Sequence, residues 1–383
     1  MKVIIIGPAH PLRGGLASFN ERLAREFQSQ QHEVSIYTFS LQYPSFIFPG
    51  TTQYSSDPAP QDLLINICIN SINPFNWLKI GHRLKKENAD LIIVRYWLPL
   101  MGPCLGTILR KAKKNLVRQA HHTKIVCIAD NIIPHEKRFG DKPFTRYFVK
   151  PVDAFITMSE KVLADLRLFE KNKPAQLVQH PLYDNFGAPI SKQEARAHLG
   201  ISSDEKILLF FGFIRKYKGL DILLDAMKLL QDSKRGSSNI KLLIAGEFYE
   251  DQKPYDEQIE KLGIKNNLIL HTNFIADGEV KYYLCAADVV VQPYRNATQS
   301  GVTPLAYHFE KPMIVTNVGG LPSLVPDDKV GLVAEPNAAS IAQKIMLFFD
   351  KGEAHFLPHI IEEKKKLSWT KLTNTILEVA NCK

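Results

Sequence analysis

The sequence lacks the cysteine spacings of zinc and redox sites. Its five cysteines are scattered and form no Cys-x-x-Cys pair, which excludes a zinc ribbon or a thioredoxin-like motif as the basis of function. An odd number of cysteines without a disulfide framework is typical of a reducing compartment. We therefore expect a cytoplasmic protein.

Long apolar runs are also missing. The first apolar run, Val3 to Ile6, ends at Gly7. It is far shorter than the apolar region of a signal peptide or the roughly 20 residues of a spanning helix. The expectation is a soluble chain, with contact at the inner face of the membrane as a further hypothesis.

Two motifs that would indicate a nucleotide cofactor or a catalytic metal are absent as well. The chain has no Asp-x-Asp pair and no Gly-x-Gly-x-x-Gly loop. The first absence argues against a diphosphate held through a metal ion, and the second against a dinucleotide fingerprint. We therefore predict no metal and no bound cofactor.

The net charge of +9 fits either a solvated surface or attraction to anions such as phosphates, nucleic acid or an acidic membrane. A basic motif interleaved with aromatic residues, typical of nucleic-acid binders, is not present. Nucleic acid is therefore not an expected partner.

What the sequence does contain is a repeated α/β pattern. A β-branched apolar run at 2–6 precedes a glycine loop, a helical spacing of apolar residues from Leu16 to Phe27, and a second strand at 33–39. This is the βαβ unit of a parallel sheet. The same pattern starts again with a strand at 206–211, after a proline-containing segment at 181–189.

The length of 383 residues and the repeated α/β pattern therefore predict two Rossmann-like, doubly wound parallel-sheet domains that face each other across a cleft. We assign residues 1–183 to a domain that binds the acceptor and 184–357 to a domain that binds the nucleotide. The tail, 358–383, is predicted to be helical and to pack back on the first domain.

Polar and glycine-rich loops follow several predicted strands, at the sheet edge where such folds bind ligands. Gly14 and Gly15 precede a helix and allow backbone amides to approach an anion, although a tight turn alone explains them equally. Arg215 and Lys218 follow the first strand of the second domain and are suited to a diphosphate, with a solvated basic turn before a helix as the alternative.

Two further loops carry candidate residues. Ser300, Gly301 and Val302 begin a helix, where free amides bind anions; capping by the Ser300 hydroxyl is the simpler alternative. Asp130 and His135 follow a first-domain strand and are candidates for acid, base or hydrogen-bond roles toward a sugar.

Taken together, these motifs resemble glycosyltransferase family 4, the retaining nucleotide-sugar transferases with the two-domain GT-B fold. The segment 212–219 is similar to that family's Gly-Arg-Leu-x-x-x-Lys-Gly diphosphate motif. The segment 287–294 resembles the strand before the donor loop, and 311–320 resembles the strand after it. The resemblance implies a UDP-sugar or GDP-sugar donor, with Glu247 and Phe274 added to its binding site.

The sequence departs from the family pattern at three places. The motif arginine falls at Phe213, so Arg215, two positions on, is the candidate for its role. The two family glutamates fall at Ala297 and Leu305. The family's cleft histidine matches Asp130.

The function expected from this resemblance is hexosyl transfer to a hydroxyl of a glycan or lipid-linked acceptor, in cell-surface polysaccharide or glycoconjugate synthesis. Trp77, Tyr96 and Trp97 are candidates for acceptor or membrane contact, with core packing as the alternative. Rival interpretations are a nucleotide-sugar epimerase or phosphorylase of the same fold, and a non-catalytic nucleotide-sugar-binding protein.

Overall fold

A computed structural model describes residues 1–44, 48, 52–55, 57–113, 123–134, 140–233, 239–297 and 300–381. The chain divides into two compact units. The first unit comprises Met1–Pro181 and Ser368–Lys383, and the second comprises Leu182–Leu367.

The described part of the first unit forms a seven-stranded parallel sheet flanked by helices. Its strands are β1 (Lys2–Ile6), β2 (Glu33–Leu41), β3 (Leu64–Asn70), β4 (Leu91–Tyr96), β5 (Lys124–Ala129), β6 (Ala154–Thr157) and β7 (Ala175–Leu177). Its helices are α1 (Gly15–Ser29), α2 (Pro74–Glu87), α3 (Gly102–Lys113), α4 (Asp141–Val149) and α5 (Glu160–Arg167), together with the last helix of the chain.

The strand order of this sheet is β3-β2-β1-β4-β5-β6-β7. The central strand β1 pairs in parallel with β2 and with β4, so that Val3 lies between Val34 and Leu91. The apolar residues of β1 and β4 are buried, as expected of strands covered by helices on both faces.

The second unit repeats this architecture. Its described strands form a six-stranded parallel sheet in the order β10-β9-β8-β11-β12-β13. The strands are β8 (Lys206–Phe211), β9 (Ile240–Ala245), β10 (Leu268–His271), β11 (Val289–Gln292), β12 (Met313–Thr316) and β13 (Gly331–Ala334). The helices are α6 (Lys192–Leu199), α7 (Leu220–Asp232), α8 (Lys253–Leu262), α9 (Val280–Ala286), α10 (Val302–His308), α11 (Leu321–Leu324), α12 (Ala338–Lys351) and α13 (Glu353–Lys364).

The predicted domain boundaries differ from this division at the C-terminal end. The predicted tail, 358–383, divides between the two units, because α13 begins before Pro358 and buries Phe356 and Ile360 in the second unit. The Nζ atom of Lys364 donates to the carbonyl of His308 at 3.0 Å. The other boundary lies between Pro181 and Leu182, two residues before the predicted position.

The final helix, α14 (Trp369–Val379), belongs to the first unit. The ring of Trp369 lies 4.8 Å from that of Phe19 on α1, and the guanidinium of Arg22 lies over the indole at 5.0 Å. The Thr370 hydroxyl donates to Glu26 at 2.7 Å. The chain therefore returns to the first unit only after Leu367.

Candidate functional site

The loop after β8 is a tight turn that depends on glycine. Gly212 and Gly219 both have positive φ angles, +92° and +68°. A Cβ atom on Gly219 would lie 2.1 Å from the carbonyl oxygen of Pro293, so no other residue fits there without rearrangement. The amide of Arg295 donates to the carbonyl of Tyr217 at 2.7 Å. The loops after β8 and β11 are therefore joined at the carboxyl edge of the sheet.

Lys218 is a buried cation in this turn. Its side chain is 9% exposed, and its Nζ atom lies 3.2 Å from where a Cβ atom on Gly212 would be. No carboxylate within the described ranges forms an ion pair with it. Burial, followed by the nearby charge of Arg215, lowers the pKa of Lys218 from 10.5 to about 7. A buried amine without a counter-charge is the environment that an anionic ligand would complete.

Arg215 lies in the same loop and rests on an aromatic pair. Its guanidinium carbon is 5.2 Å from the ring centre of Tyr249. The ring of Phe213 stacks on Tyr249, with centroids 4.1 Å apart. The amide of Ile214 donates to the carbonyl of Glu247 at 2.8 Å, and the amide of Tyr249 donates back to Ile214 at 3.0 Å.

The structure thus brings together four of the predicted site residues: Phe213, Arg215, Lys218 and Glu247. The Glu247 side chain is buried. Phe274 is half-buried and follows β10, which lies two strands from β8 in the sheet.

The start of α10 adjoins the same turn, since a Cβ atom on Gly212 would lie 3.8 Å from Val302 Cγ2. Ser300 is buried, and its hydroxyl accepts a hydrogen bond from the Val302 amide at 3.2 Å. The prediction that the Val302 amide is free for an anion is therefore corrected. The N-cap residue of α10 is Gly301, without a side-chain cap, so Ser300 bonds the Val302 amide from one residue before the cap position. Gly301 itself is exposed.

The positions of the two family glutamates are apolar and buried. Ala297 and Leu305 are both in the core of the second unit. The carbonyl oxygen of Ala297 lies 1.7 Å from where a Cβ atom on Gly319 would be, so the backbones approach closely there. Two buried polar side chains of the same region pair with each other, since the Gln292 amide and the Thr303 hydroxyl exchange hydrogen bonds of 3.2 Å.

In the first unit, Asp130 follows β5 and forms a buried ion pair with Arg95 of β4. Both carboxylate oxygens take part, at 2.5 Å from Nε and 2.5 Å from Nη2. The side chains of Arg95 and Asp130 are 2% and 6% exposed. The Arg95 guanidinium also lies 3.8 Å from the centre of the Phe19 ring. This ion pair gives Asp130 a structural role, and its predicted catalytic role stays a prediction.

A buried histidine that the sequence did not single out lies beside this ion pair. Burial, and to a lesser extent the Arg95 charge, lower the pKa of His180 to about 3, against a hydrogen bond to Pro181 that raises it. The His180 ring meets that of Phe19 edge-on at 5.1 Å. Since the pKa is so low, His180 is neutral at physiological pH. The predicted His135 falls outside the described residues.

The glycine pair forms the entry to α1. Gly14 has a φ of +98° and precedes the first helical residue, Gly15. The Ala17 amide donates to the Gly14 carbonyl at 2.9 Å. This is a tight strand-to-helix turn, and the predicted anion contact at this turn stays a prediction.

Of the three aromatic residues considered for acceptor contact, Tyr96 is fully buried and stacks on Phe148 at 4.0 Å. Core packing is therefore its role, and the acceptor hypothesis is wrong for it. Trp77 and Trp97 are partly buried. Their indole nitrogens donate to Asn70 O at 2.7 Å and to the Tyr43 hydroxyl at 2.5 Å.

Among the described residues, no group of three or more His, Cys, Asp or Glu side chains is arranged to hold a metal ion. Within the same ranges, no helix is both long and apolar enough to cross a bilayer.

Each half of the chain matches a known protein family. Residues 13–180 match the family described as Glycosyltransferase Family 4, and residues 191–366 match the family described as Glycosyl transferases group 1. The chain belongs to glycosyltransferase family 4.

Relatives of this glycosyltransferase are similar over most of their length. A D-inositol 3-phosphate glycosyltransferase of Streptomyces avermitilis is 26% identical over 88% of this chain and 76% of that protein. An uncharacterized glycosyltransferase of Methanocaldococcus jannaschii is 24% identical over 99% of this chain and 97% of the relative.

Solved structures share the fold. Sucrose-phosphate synthase from Thermosynechococcus elongatus has a TM-score of 0.74 at 17% identity, covering 100% of this chain and 98% of that one. Anabaena HepE, in complex with UDP and glucose, also has a TM-score of 0.74, at 15% identity and with 100% of both chains covered. The predicted α/β architecture of the GT-B class is therefore confirmed.

Proposed function

We propose that this glycosyltransferase moves a hexose from a UDP-sugar or GDP-sugar to a hydroxyl of a glycan or lipid-linked acceptor in the cytoplasm. Transfer proceeds with retention at the anomeric carbon and serves cell-surface polysaccharide or glycoconjugate synthesis. The observation that carries the proposal is the buried amine of Lys218, which lies at the carboxyl edge of a parallel sheet without a carboxylate partner among the described residues.

The donor assignment rests on charge. When the bond between the anomeric carbon and the diphosphate breaks, negative charge develops on the leaving group. Cations already fixed in a poorly solvated site stabilise that charge more than they would in water. Lys218 and Arg215 supply two such cations in one loop, and Arg215 is held in place by Tyr249.

The comparisons support the same donor class. The Anabaena structures contain UDP, UDP with glucose, and UDP-glucose, and a starch synthase of Arabidopsis thaliana was solved with ADP and acarbose. Those ligands belong to proteins that share the fold of this chain. They favour a nucleoside diphosphate as a ligand of this chain as well.

Metal independence is part of the proposal, because Lys218 and Arg215 provide the positive charge that a divalent cation would otherwise supply. The test is transfer in the presence of a chelator. Activity that disappears with EDTA and returns with manganese contradicts this part of the proposal alone.

The first unit is proposed to hold the acceptor. Gly14 and Gly15, at the start of α1, are the proposed contacts for an anionic group of donor or acceptor. Asp130 stays a candidate for contact with the reacting sugar, in an orientation set by Arg95.

A second function, binding of a nucleotide-sugar without transfer, is favoured by one observation. Ala297 and Leu305 occupy the family's glutamate positions and have no polar side-chain group. Incubation with a radiolabelled donor and product analysis separates the two functions, since a binding protein retains the donor and releases no free nucleotide.

The donor site itself is tested by thermal shift with UDP-, GDP-, ADP- and TDP-sugars. A true donor at a concentration 100 times its Kd stabilises the chain by about 2.7 kcal/mol. Lys218→Ala and Arg215→Ala are expected to abolish that shift. Lys216→Ala is the matched control, because Lys216 is an exposed lysine of the same loop. Full shifts in both site variants would refute the assignment.

A further inference from the structure

The N-terminal end of α2 presents large apolar side chains to solvent. Phe75 is 84% exposed, and Ile72 and Leu78 are 59% and 43% exposed. Ile72 precedes the helix, and Phe75 and Leu78 lie in its first two turns, so three exposed apolar residues lie within seven positions of the chain and form an apolar tip. Scattered exposed apolar residues are ordinary in proteins, whereas a group of this kind indicates a contact surface.

This tip is held in a defined conformation. The Asn73 side chain caps the helix by accepting hydrogen bonds from the amides of Phe75 and Asn76, at 3.0 and 3.2 Å. The Asn76 side chain donates to the Cys68 carbonyl at 2.9 Å, and Trp77 donates to Asn70 at 2.7 Å. The apolar side chains are therefore displayed from a fixed scaffold.

Basic residues continue the same face of α2. Phe75, Lys79, His82 and Lys86 are spaced by four, three and four residues, which places them on one side of the helix. All four are exposed. Lys79 and Lys86 have no carboxylate partner in the ranges that the structure describes.

The neighbouring helix α3 adds to this charge. It packs against α2 at Gly81, where a Cβ atom would lie 2.5 Å from Cβ of Lys111. Together α2 and α3 contain seven Lys or Arg residues and a single acid, Glu87. Glu87 is already paired with Lys2 at 2.7 Å.

We propose that this α2 surface, formed by Ile72, Phe75, Leu78, Lys79, His82 and Lys86, docks on a bilayer that contains anionic phospholipid. Phe75 and Leu78 enter the headgroup region, and the lysines contact lipid phosphates. An apolar tip continued by unpaired cations is the arrangement of helices that lie in the membrane interface. The inference goes beyond the donor chemistry and places the first unit where a lipid-linked acceptor would be found.

Co-sedimentation of the full chain with vesicles tests the proposal without nucleotide. We expect binding to phosphatidylcholine vesicles that contain phosphatidylglycerol, weaker binding at high salt, and none to phosphatidylcholine alone. Lys79→Gln/Lys86→Gln should weaken binding about fivefold per lysine. Phe75→Ser/Leu78→Ser should weaken it about tenfold or more.

The matched control lies in the second unit. Leu229→Ser/Lys261→Gln removes an exposed leucine and an exposed lysine from other helices and should bind as the wild type does. Phe75→Trp adds a second measurement, because the new indole should shift its emission to the blue when anionic vesicles are added.

Failure of the wild type to sediment with anionic vesicles at low salt would overturn the proposal, as would equal binding to neutral vesicles. Sedimentation of both α2 variants at the wild-type level would do so as well. All variants should keep the thermal shift with the sugar donor. Loss of vesicle binding and failure of the donor assignment are therefore distinguishable.

Discussion

Replacing Lys218 by methionine is expected to stabilise the ligand-free protein while removing its response to the sugar donor. Methionine keeps most of the aliphatic volume of lysine and removes the buried charge. The buried amine has no counter-charge among the described residues, and it lies close to a second cation, Arg215. The wild-type protein therefore carries an electrostatic penalty in the turn after β8, which the bound diphosphate relieves.

The size of this electrostatic penalty follows from the difference between the pKa of Lys218 in the folded chain and its ordinary value. Lys218 titrates at about 7 in the folded chain, against 10.5 as its ordinary value. At about 1.4 kcal/mol per unit, the charged form is destabilised by about 5 kcal/mol. A lysine with a lowered pKa binds fewer protons folded than unfolded, so stability rises with pH between 7 and 10.5. The penalty is therefore about 4 kcal/mol at pH 7, about 2 kcal/mol at pH 9, and near zero above the ordinary pKa.

Urea unfolding of wild type, Lys218→Met and Lys216→Met, each at pH 7 and pH 9, measures this difference directly. The Lys218 variant should unfold at a higher urea concentration than wild type. The difference in free energy of unfolding between the two should be about half as large at pH 9 as at pH 7. Lys216 is exposed, so the free energy of unfolding of its variant should match that of wild type at both pH 7 and pH 9. Two results would refute an electrostatic penalty at Lys218. One is a Lys218 variant that is less stable than wild type at pH 7, and the other is a difference in free energy of unfolding that does not depend on pH.

Further predictions follow from the same contacts. Because only protonated Lys218 neutralises the diphosphate, donor affinity should fall by up to about tenfold per pH unit above pH 7; calorimetry showing constant affinity from pH 6 to 9 would contradict this. Asp130→Asn leaves the buried Arg95 charge unpaired and should cost about 3–5 kcal/mol of stability, part of which Arg95→Met restores in the double variant, as measured by urea unfolding. Gly219→Ala should cost at least about 1–3 kcal/mol from its positive φ alone, more with the contact to Pro293; an unchanged melting temperature would argue against this turn.

Much of the fold follows from apolar periodicity. Buried parallel strands such as 2–6 and 206–211 are continuous apolar runs, and the structure has β1 and β8 at those positions. Apolar runs of this kind do not identify the edge strands β3 and β13. The β3 segment, 64–70, exposes Leu64 and Ile67, because an edge strand is not covered on every side. Its pattern therefore lacks the uniform burial that identifies central strands.

The residues of the candidate donor site were predictable chiefly where they are contiguous. Arg215 and Lys218 stand close together in a single loop, and the position of that loop at the sheet edge predicts a role in ligand binding. Tyr249 and Arg95 were missed because their partners lie on other loops and strands. The hydrogen bond from the Val302 amide to the Ser300 hydroxyl was not predictable, because sequence alone does not say where a serine hydroxyl points.

The prediction that Arg215 takes the role of the motif arginine, two positions before it at Phe213, is consistent with the local backbone geometry. Residues two apart in an extended segment project to the same side, while adjacent residues project to opposite sides. Arg215 has extended dihedral angles, φ −143° and ψ 149°, and Ile214 between the two positions pairs with Phe248 as in a parallel sheet. Phe213 and Arg215 both contact Tyr249, which shows that they share a side. Arg215 therefore lies on the same side of this segment as position 213, and the ring of Phe213 supports it through Tyr249.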